Sequence, residues 1–333
     1  MGSLGIVLFL LLAVYAQRVT WAKKYSFSLI VLAAVSAAMS YPALFTQIGD
    51  FKLNRLIIPL LQIIMFGMGT AMSIKDFTDV IKMPQAVGVG LVCQFSIMPI
   101  IGYTIARFFA FPPEIAAGII LVGTSPSGLA SNVMAYLARA NLALSVTLTS
   151  CATLLAPFVT PYLMELLAGE LVAVNTGAMM LSMIKIVIIP VVAGVIFNYF
   201  FHGRAGWLDR SMPIISMIGI ALIITVITAA GRDSLIEIGI LLILAAVIHN
   251  LLGYALGYIC AKMIRLEEKD CRSIALEVGM QNSGLASGLA LEMGKLATVG
   301  LAPAVFGPWM NISGSALASW WRERDTQPTL QIS

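Results

Sequence analysis

Glu277 is the residue with the most chemistry to offer. It lies in the stretch Ile274 to Lys295, IALEVGMQNSGLASGLALEMGK, and is followed four to six residues later by Gln281, Asn282 and Ser283. All four stand inside an apolar segment long enough to cross a bilayer, where an ionisable group is costly and usually marks an ion pathway or a proton relay. The structural alternative is an ion pair with Lys185 or a hydrogen bond to a broken helix end. Ser145 and Thr149 fall i, i+4 on one helix face, and Ser131 with Asn132 ends a second polar interruption. Together with Glu277 they make a hard, oxygen-rich set of the kind an alkali cation accepts in exchange for its waters. Taken singly, such small polar residues also serve helix packing. Gln94, between Cys93 and Phe95, reads equally as interhelical glue or as a ligand.

Other reactive side chains point less far. His249 reads as a packing histidine, since the second histidine, His202, falls in a loop. Cys93, Cys151, Cys260 and Cys271 have neither CxxC nor metal-ligand spacing and read as free thiols. The Asn311-Ile-Ser313 sequon lies in an apolar segment and is not read as a glycosylation site.

The elements that must hold these groups are membrane helices. Of 333 residues, 59% are hydrophobic and 11% charged, and apolar runs of about 20 recur along the whole length. That excludes a soluble domain, and the continuity of the runs excludes a β-barrel. The net charge of +4 forms no cluster of more than a few residues, so no nucleic acid is implied. Ten spans are expected, at about 26–45, 56–73, 86–110, 115–138, 142–167, 179–201, 213–231, 235–264, 273–294 and 299–321. Pro99, Pro126, Pro157, Pro190 and Pro303 are expected to kink or break their helices. Met65, Met68 and Met72, with Gly67 and Gly69, read as packing adaptors. Leu4 to Ala16 is apolar but is followed, not preceded, by Arg18, Lys23 and Lys24, which argues against a signal peptide. Residues 1–24 are read as an extra helix, spanning or interfacial.

The polar interruption has an echo. Ser283-Gly-Leu-Ala-Ser287 repeats Ser127-Gly-Leu-Ala-Ser131 at an offset of 156 residues, once per half, in the fourth and ninth spans. Gly and polar residues that interrupt corresponding hydrophobic segments of two halves point to a transporter site, and five spans per half imply inverted repeats. A fainter echo pairs Pro-Ile-Ile-Gly-Tyr103 with Asn-Leu-Leu-Gly-Tyr254. Of the 20 Lys and Arg, 14 fall in connections on one face: Arg18, Lys23, Lys24, Lys75, Lys82, Arg139, Arg204, Arg210, Lys262, Arg265, Lys269, Arg272, Arg322 and Arg324. Lys52, Arg55, Arg107, Arg232 and Lys295 fall on the other, with Lys185 inside a span. The first face is read as cytoplasmic, so the ten-span unit begins and ends inside.

At Glu277-Val-Gly-Met-Gln-Asn-Ser-Gly-Leu-Ala286 the chain resembles the bile acid:sodium symporter family, in particular its bacterial members. Phe66-Gly-Met-Gly69, Gln94-Phe95, Ala130-Ser-Asn-Val133, Tyr136-Leu-Ala-Arg139, Leu144-Ser-Val146 and Asn311-Ile-Ser-Gly314 carry the likeness over residues 25–322. The resemblance implies an all-α fold of ten helices, with the fourth and ninth unwound where they cross. It implies a panel domain (about 26–73 and 179–231) and a core domain (about 86–167 and 235–321), with 323–333 left as a polar cytoplasmic tail. One sodium would be held by Ser131, Asn132, Ser145, Thr149 and Glu277. A second would be held by Gln94, Glu277, Gln281 and the carbonyls of Val278 and Met280. Asn282 and Asn311 would face the substrate. The chain departs from the family pattern at Ser125-Pro-Ser-Gly-Leu129 and at Trp309-Met-Asn311, which makes Leu129 and Met310 candidate substrate contacts.

The resulting expectation is a bacterial inner-membrane symporter, not an enzyme, that couples two sodium ions to uptake of a small organic anion, a bile acid or a carboxylate such as pantoate or a 2-oxo acid. Its partners are that anion and membrane lipid, with no obligate protein partner. A sodium/proton exchanger would want a second intramembrane acid beside Glu277. An intramembrane hydrolase would want Ser with His, or paired Asp, at mid-span.

Overall fold

Helices that are apolar all round must be covered by lipid or by one another, and nearly every element here is such a helix. The computed structural model describes residues 2–19, 22, 25–73, 76, 78–201 and 206–324. Lys23, Lys24, Lys75, His202, Arg204 and the tail after Arg324 lie outside the described residues.

Helix α1 (Gly2–Arg18) runs antiparallel along α2 (Ser26–Ser40), with Gly5 beside Ser36 and Ser26 Oγ donating to Ala13 O at 3.2 Å. Pro42 disfavours helix at Tyr41. The first expected span is therefore bent there and continues as α3 (Pro42–Thr46), followed by a hairpin of β1 (Gln47–Ile48) and β2 (Phe51–Lys52). Next come α4 (Ile57–Thr70), α5 (Pro84–Phe108), α6 (Pro113–Thr124), α7 (Leu129–Leu137) and α8 (Leu142–Ala168). The second half holds α9 (Thr176–Met183), a π turn at Ile184–Ile188, α10 (Ile189–Phe201), α11 (Gly206–Ala230) and α12 (Arg232–Met263). It closes with α13 (Glu268–Gly279), α14 (Ser283–Glu292) and α15 (Leu301–Arg324).

Among the described residues, five stretches are long and apolar enough to cross a membrane: Leu53–Thr70, Pro84–Phe108, Leu142–Ala168, Thr176–Phe201 and Arg232–Met263. The chain is an all-α membrane protein. Local signals set its boundaries: Pro84 and Pro113 open α5 and α6, where no intrahelical N–H bond is owed. The side chains of Asn141 and Asn175 cap α8 and α9. Pro99 and Pro157 lie within α5 and α8, and Pro190 follows the π turn. Pro303 departs from expectation, because it stands in the first turn of α15 and starts that helix instead of breaking it.

The two interrupted segments are each a pair of helices, α6–α7 and α13–α14. Their spacing is regular, since α6 and α13 begin at 113 and 268 and end at 124 and 279, 155 residues apart at both ends. The helix exits repeat at the same distance. The chain leaves α5 through Ala110 (φ 50°) and α12 through Arg265 (φ 62°), and leaves α7 through Arg139 (φ 53°) and α14 through Gly294 (φ 68°). Each exit is a left-handed residue followed by a backbone N–H returning five residues: Phe111 to Ala106, Leu266 to Ala261, Ala140 to Ala135 and Lys295 to Ala290. Three of these four residues are not glycine, so the geometry is imposed by its surroundings and not by local freedom. The identical SGLAS strings obey a different offset. Ser127 lies in the first break, whereas Ser283 is already the first residue of α14, so the echo marks the right segments in a slipped register.

Bonds between loops sort the two ends of the bundle. At one end Asn141 Nδ2 donates to Asp270, Ser273 Oγ to Asn141 O, and Thr147 Oγ1 to Asp76 O. At the other, Arg107 pairs with Glu170, Lys295 with Glu114, and Arg232 Nε donates to Met39 O. Among the described residues the loops at the first end carry Lys82, Arg139, Lys262, Arg265, Lys269 and Arg272, and those at the second carry Arg107, Arg232 and Lys295.

Gly69 and Gly194 bring α4 and α10 into backbone contact, where a Cβ on either glycine would run into Val191 O or Phe66 O. Gly194→Leu is expected to cost on the order of 1–3 kcal/mol through overpacking, read as a lower thermal midpoint in detergent. Gly239→Leu, which faces open space on α12, should leave the midpoint near wild type. Equal midpoints for the two variants would contradict this packing.

Candidate functional site

The α6–α7 and α13–α14 breaks meet and pair antiparallel through one isolated bridge. Ser127 opposes Gln281, Asn282 N–H donates to Pro126 O at 2.8 Å, and Gly128 N–H donates to Met280 O at 3.3 Å. The local sequence explains the interruption. Pro126 supplies no N–H and disfavours helix at Ser125, and Asn282 caps α14 by accepting from Leu285 N–H at 3.0 Å. Further bonds support the second break: Asn250 Nδ2 donates to Gly279 O at 2.8 Å and Gln281 N–H reaches Met310 Sδ at 3.2 Å. Backbone this far from water is tolerated in a membrane only when its polar groups are met in this way.

Glu277, 2% exposed, sits in the last turn of α13 and faces four hydroxyls. Its Oε1 accepts from Ser131 at 2.6 Å and Ser145 at 2.5 Å, and its Oε2 accepts from Ser127 at 2.5 Å and Thr149 at 2.8 Å. Ser145 and Thr149 also stand 2.8 and 3.1 Å from Asn132 Oδ1, and Ser131 stands 2.7 Å from Gly128 O. A hydroxyl has one proton. Three of the four hydroxyls therefore face two acceptors each and satisfy only one, so oxygen is in excess over protons around the carboxylate. No ion pair to Lys185 is formed among the described residues.

A second polar group adjoins the first. Gln94, 3% exposed, donates through Nε2 to Ser125 O at 2.9 Å and to Gln281 Oε1 at 2.6 Å, while Gln281 Nε2 donates to Val278 O at 2.6 Å. The two backbone carbonyls fix both amide orientations, because the flipped amides would set oxygen against oxygen. Gln94 Oε1 is then a buried acceptor with no hydrogen-bond partner. Such a group costs about 1–3 kcal/mol unless something meets it.

The structure thus gathers Ser131, Asn132, Ser145, Thr149 and Glu277 in one shell and Gln94, Gln281 and Val278 in an adjoining one. The Met280 carbonyl is tied to Gly128, and the hydrogen bonds of Glu277 all go to the first shell. A cavity of about 100 Å³ lies beside the crossing and is lined by Leu129, Asn282, Met310 and Asn311. Asn282 Oδ1 is spent on the helix cap, so its NH₂ is the end it can offer a ligand. Asn311 Nδ2 donates to Gly307 O at 3.1 Å. Met310, besides lining the cavity, braces the break through its sulfur.

Sequence reading missed Ser127 as a partner of Glu277, Asn250 as the support of Gly279, and Met65, Met68 and Ser216 as lining of the cavity. Ser127 lay inside the quoted repeat, and its neighbour Pro126 was the available signal. His249 packs edge-on against Phe306, with the ring centres 5.3 Å apart. All four cysteines are free thiols, and the described residues contain no group of three or more His, Cys, Asp or Glu able to hold a metal.

Residues 58–238 match the model of the Sodium Bile acid symporter family. The chain is 39% identical over 300 residues to the "Uncharacterized sodium-dependent transporter YocS" of Bacillus subtilis (strain 168), covering 90% of this chain and 91% of that one. It is 32% identical over 262 residues to the "Probable sodium/metabolite cotransporter BASS1, chloroplastic" of Arabidopsis thaliana, and 35% over 266 residues to the corresponding BASS2 protein of Oryza sativa subsp. japonica. These matches cover 79% and 78% of this chain but 65% and 62% of the plant proteins.

Removing one donor to Glu277 tests the shell directly. Ser127→Ala strips a charge-assisted bond of roughly 1.5–3 kcal/mol, whereas Ser125→Ala loses only a neutral bond from its hydroxyl to Leu121 O. The thermal midpoint measured without added sodium should fall further for Ser127→Ala. Equal falls would place Ser127 outside the carboxylate's environment.

Proposed function

This chain belongs to the sodium bile acid symporter family, and from that premise we propose that it carries a small organic anion inward with two sodium ions by alternating access. The observation that carries the reading is the buried carboxylate of Glu277, surrounded by more oxygen than its neighbours have protons. A sodium ion suits that shell, since it takes carboxylate, hydroxyl and amide oxygens in place of water. One ion is assigned to Ser131, Asn132, Ser145, Thr149 and Glu277, and Ser127 is added as a fourth hydroxyl facing that carboxylate. A second is assigned to Gln94, Gln281, Glu277 and the carbonyls of Val278 and Met280, and the unpartnered Gln94 Oε1 supports it.

Two sodium ions on one carboxylate leave about one positive charge for an anion to neutralise. The N-terminal ends of α7 and α14 meet at the crossing and favour negative charge beside the cavity, while the C-terminal ends of α6 and α13 favour the cations. Asn282 and Asn311 are assigned to the substrate, with Leu129 and Met310 as its apolar contacts. A cavity of about 100 Å³ favours a compact carboxylate over a bile acid, because pockets for drug-sized ligands run to about 300–1,000 Å³.

The architecture proposed is ten membrane helices in two inverted repeats, divided into panel and core domains at the boundaries set out above. The 155-residue recurrence of helix bounds and left-handed exits supports the repeat. The basic end is assigned to the cytoplasm of a bacterial inner membrane, on the excess of Lys and Arg there.

Proteoliposomes with an imposed sodium gradient test this reading. A compact carboxylate should be taken up only while the gradient lasts. Thr149→Ala and Gln94→Ala should each raise the half-saturating sodium concentration several-fold and lower the Hill slope from near two toward one. Unaltered sodium curves in both variants would overturn the ligand assignment.

A further inference from the structure

A cleft larger than the cavity at the crossing lies elsewhere in the bundle. It is a groove of about 940 Å³ between α12 and α15, on the far side of α15 from the small cavity, and it opens at the basic end of the bundle. Its chemistry is graded along its length. The inner part is apolar and aromatic, with Leu251 and Ile259 of α12 about half exposed and turned to the bundle's surroundings. Within it the indole Nε1–H of Trp309 is buried and has no hydrogen-bond partner. The mouth carries cations on indole rings: the Arg324 guanidinium lies 3.9 Å from the ring centre of Trp320, and that of Arg272 lies 5.8 Å from Trp321. Glu268 is the one carboxylate in the lining, and it is already engaged by Tyr258, Lys262 and Arg272.

We propose that this groove binds an anionic phospholipid, with an acyl chain along Leu251 and Ile259, the phosphate at Arg324 and Arg272, and an ester oxygen accepting from Trp309 Nε1–H. Charge complementarity selects the occupant. The lining cations outnumber the lining carboxylate, and paired Trp and Arg at an interhelical cleft suit a phosphate at the membrane interface. A compact carboxylate would leave the apolar length unfilled, and a zwitterionic lipid would bring its own cation to the arginines. The site has consequences for the crossing behind it. Tyr254 lines the groove and is hydrogen-bonded with Ser313, which donates to Asn250 Oδ1, and Asn250 holds Gly279 O of the second break.

The test uses purified full-length protein and titrations of phosphatidylglycerol and phosphatidylcholine, followed by native mass spectrometry and thermal shift. Phosphatidylglycerol should bind and raise the midpoint at concentrations where phosphatidylcholine does neither. Arg324→Gln, at an exposed helix end, should weaken phosphatidylglycerol binding about fivefold, the loss of one cation near an anionic headgroup. Trp309→Phe keeps the ring, removes the N–H and should also weaken it. Arg107→Gln, at the opposite end, should leave it unchanged. Equal binding of the two lipids would overturn the proposal, as would Arg324→Gln behaving like Arg107→Gln.

Discussion

The structure turns on keeping one carboxylate away from water. An ionised group in a low-dielectric interior is stable only when its oxygens are met by donors or cations, and Glu277 is met by four hydroxyls drawn from three places. Ser127 comes from the first break, Ser131 from the helix that follows it, and Ser145 with Thr149 from α8. Ser127 reaches the carboxylate from the non-helical stretch before α7, and α13 ends two residues after Glu277. The broken helices are thus part of the site as well as its frame.

Breaking a helix in the membrane creates a second obligation, because every freed backbone group needs a partner. The two breaks meet part of it by pairing with each other. The rest falls to Asn250, Met310, Gln281 and Gln94, side chains that reach in from α5, α12, α15 and the break itself. Gln94 is the instructive case, since its donor end is fully used and its acceptor end is not. That asymmetry suits a cation and has no use in a purely structural brace.

The sequence made the segments legible but not the contacts. Glu277 stood out because a carboxylate amid apolar residues has few explanations, and Ser145 with Thr149 because their spacing puts them on one face. Helix exits such as those at Ala110 and Arg265 left no clear mark, since non-glycine residues hold the left-handed conformation there. The SGLAS repeat pointed to both breaks yet misaligned them, because the first break spans 125–128 and the second only 280–282. Ser127 was overlooked for the same reason: in the slipped register it corresponds to a helical serine. Asn250 owes its importance to a neighbour distant in the chain, Gly279, which no local pattern reveals.

If the oxygen excess around Glu277 is what sodium answers, sodium should bind and stabilise the folded protein without any substrate, by an amount that grows with the logarithm of one plus its concentration over its dissociation constant. The most direct measurement is the thermal midpoint of purified protein in sodium and in potassium at equal ionic strength, for wild type and for Glu277→Gln. The account predicts a midpoint that rises with sodium and not with potassium in wild type, and a folded Glu277→Gln protein whose midpoint ignores sodium. A Glu277→Gln protein stabilised by sodium as strongly as wild type would contradict it.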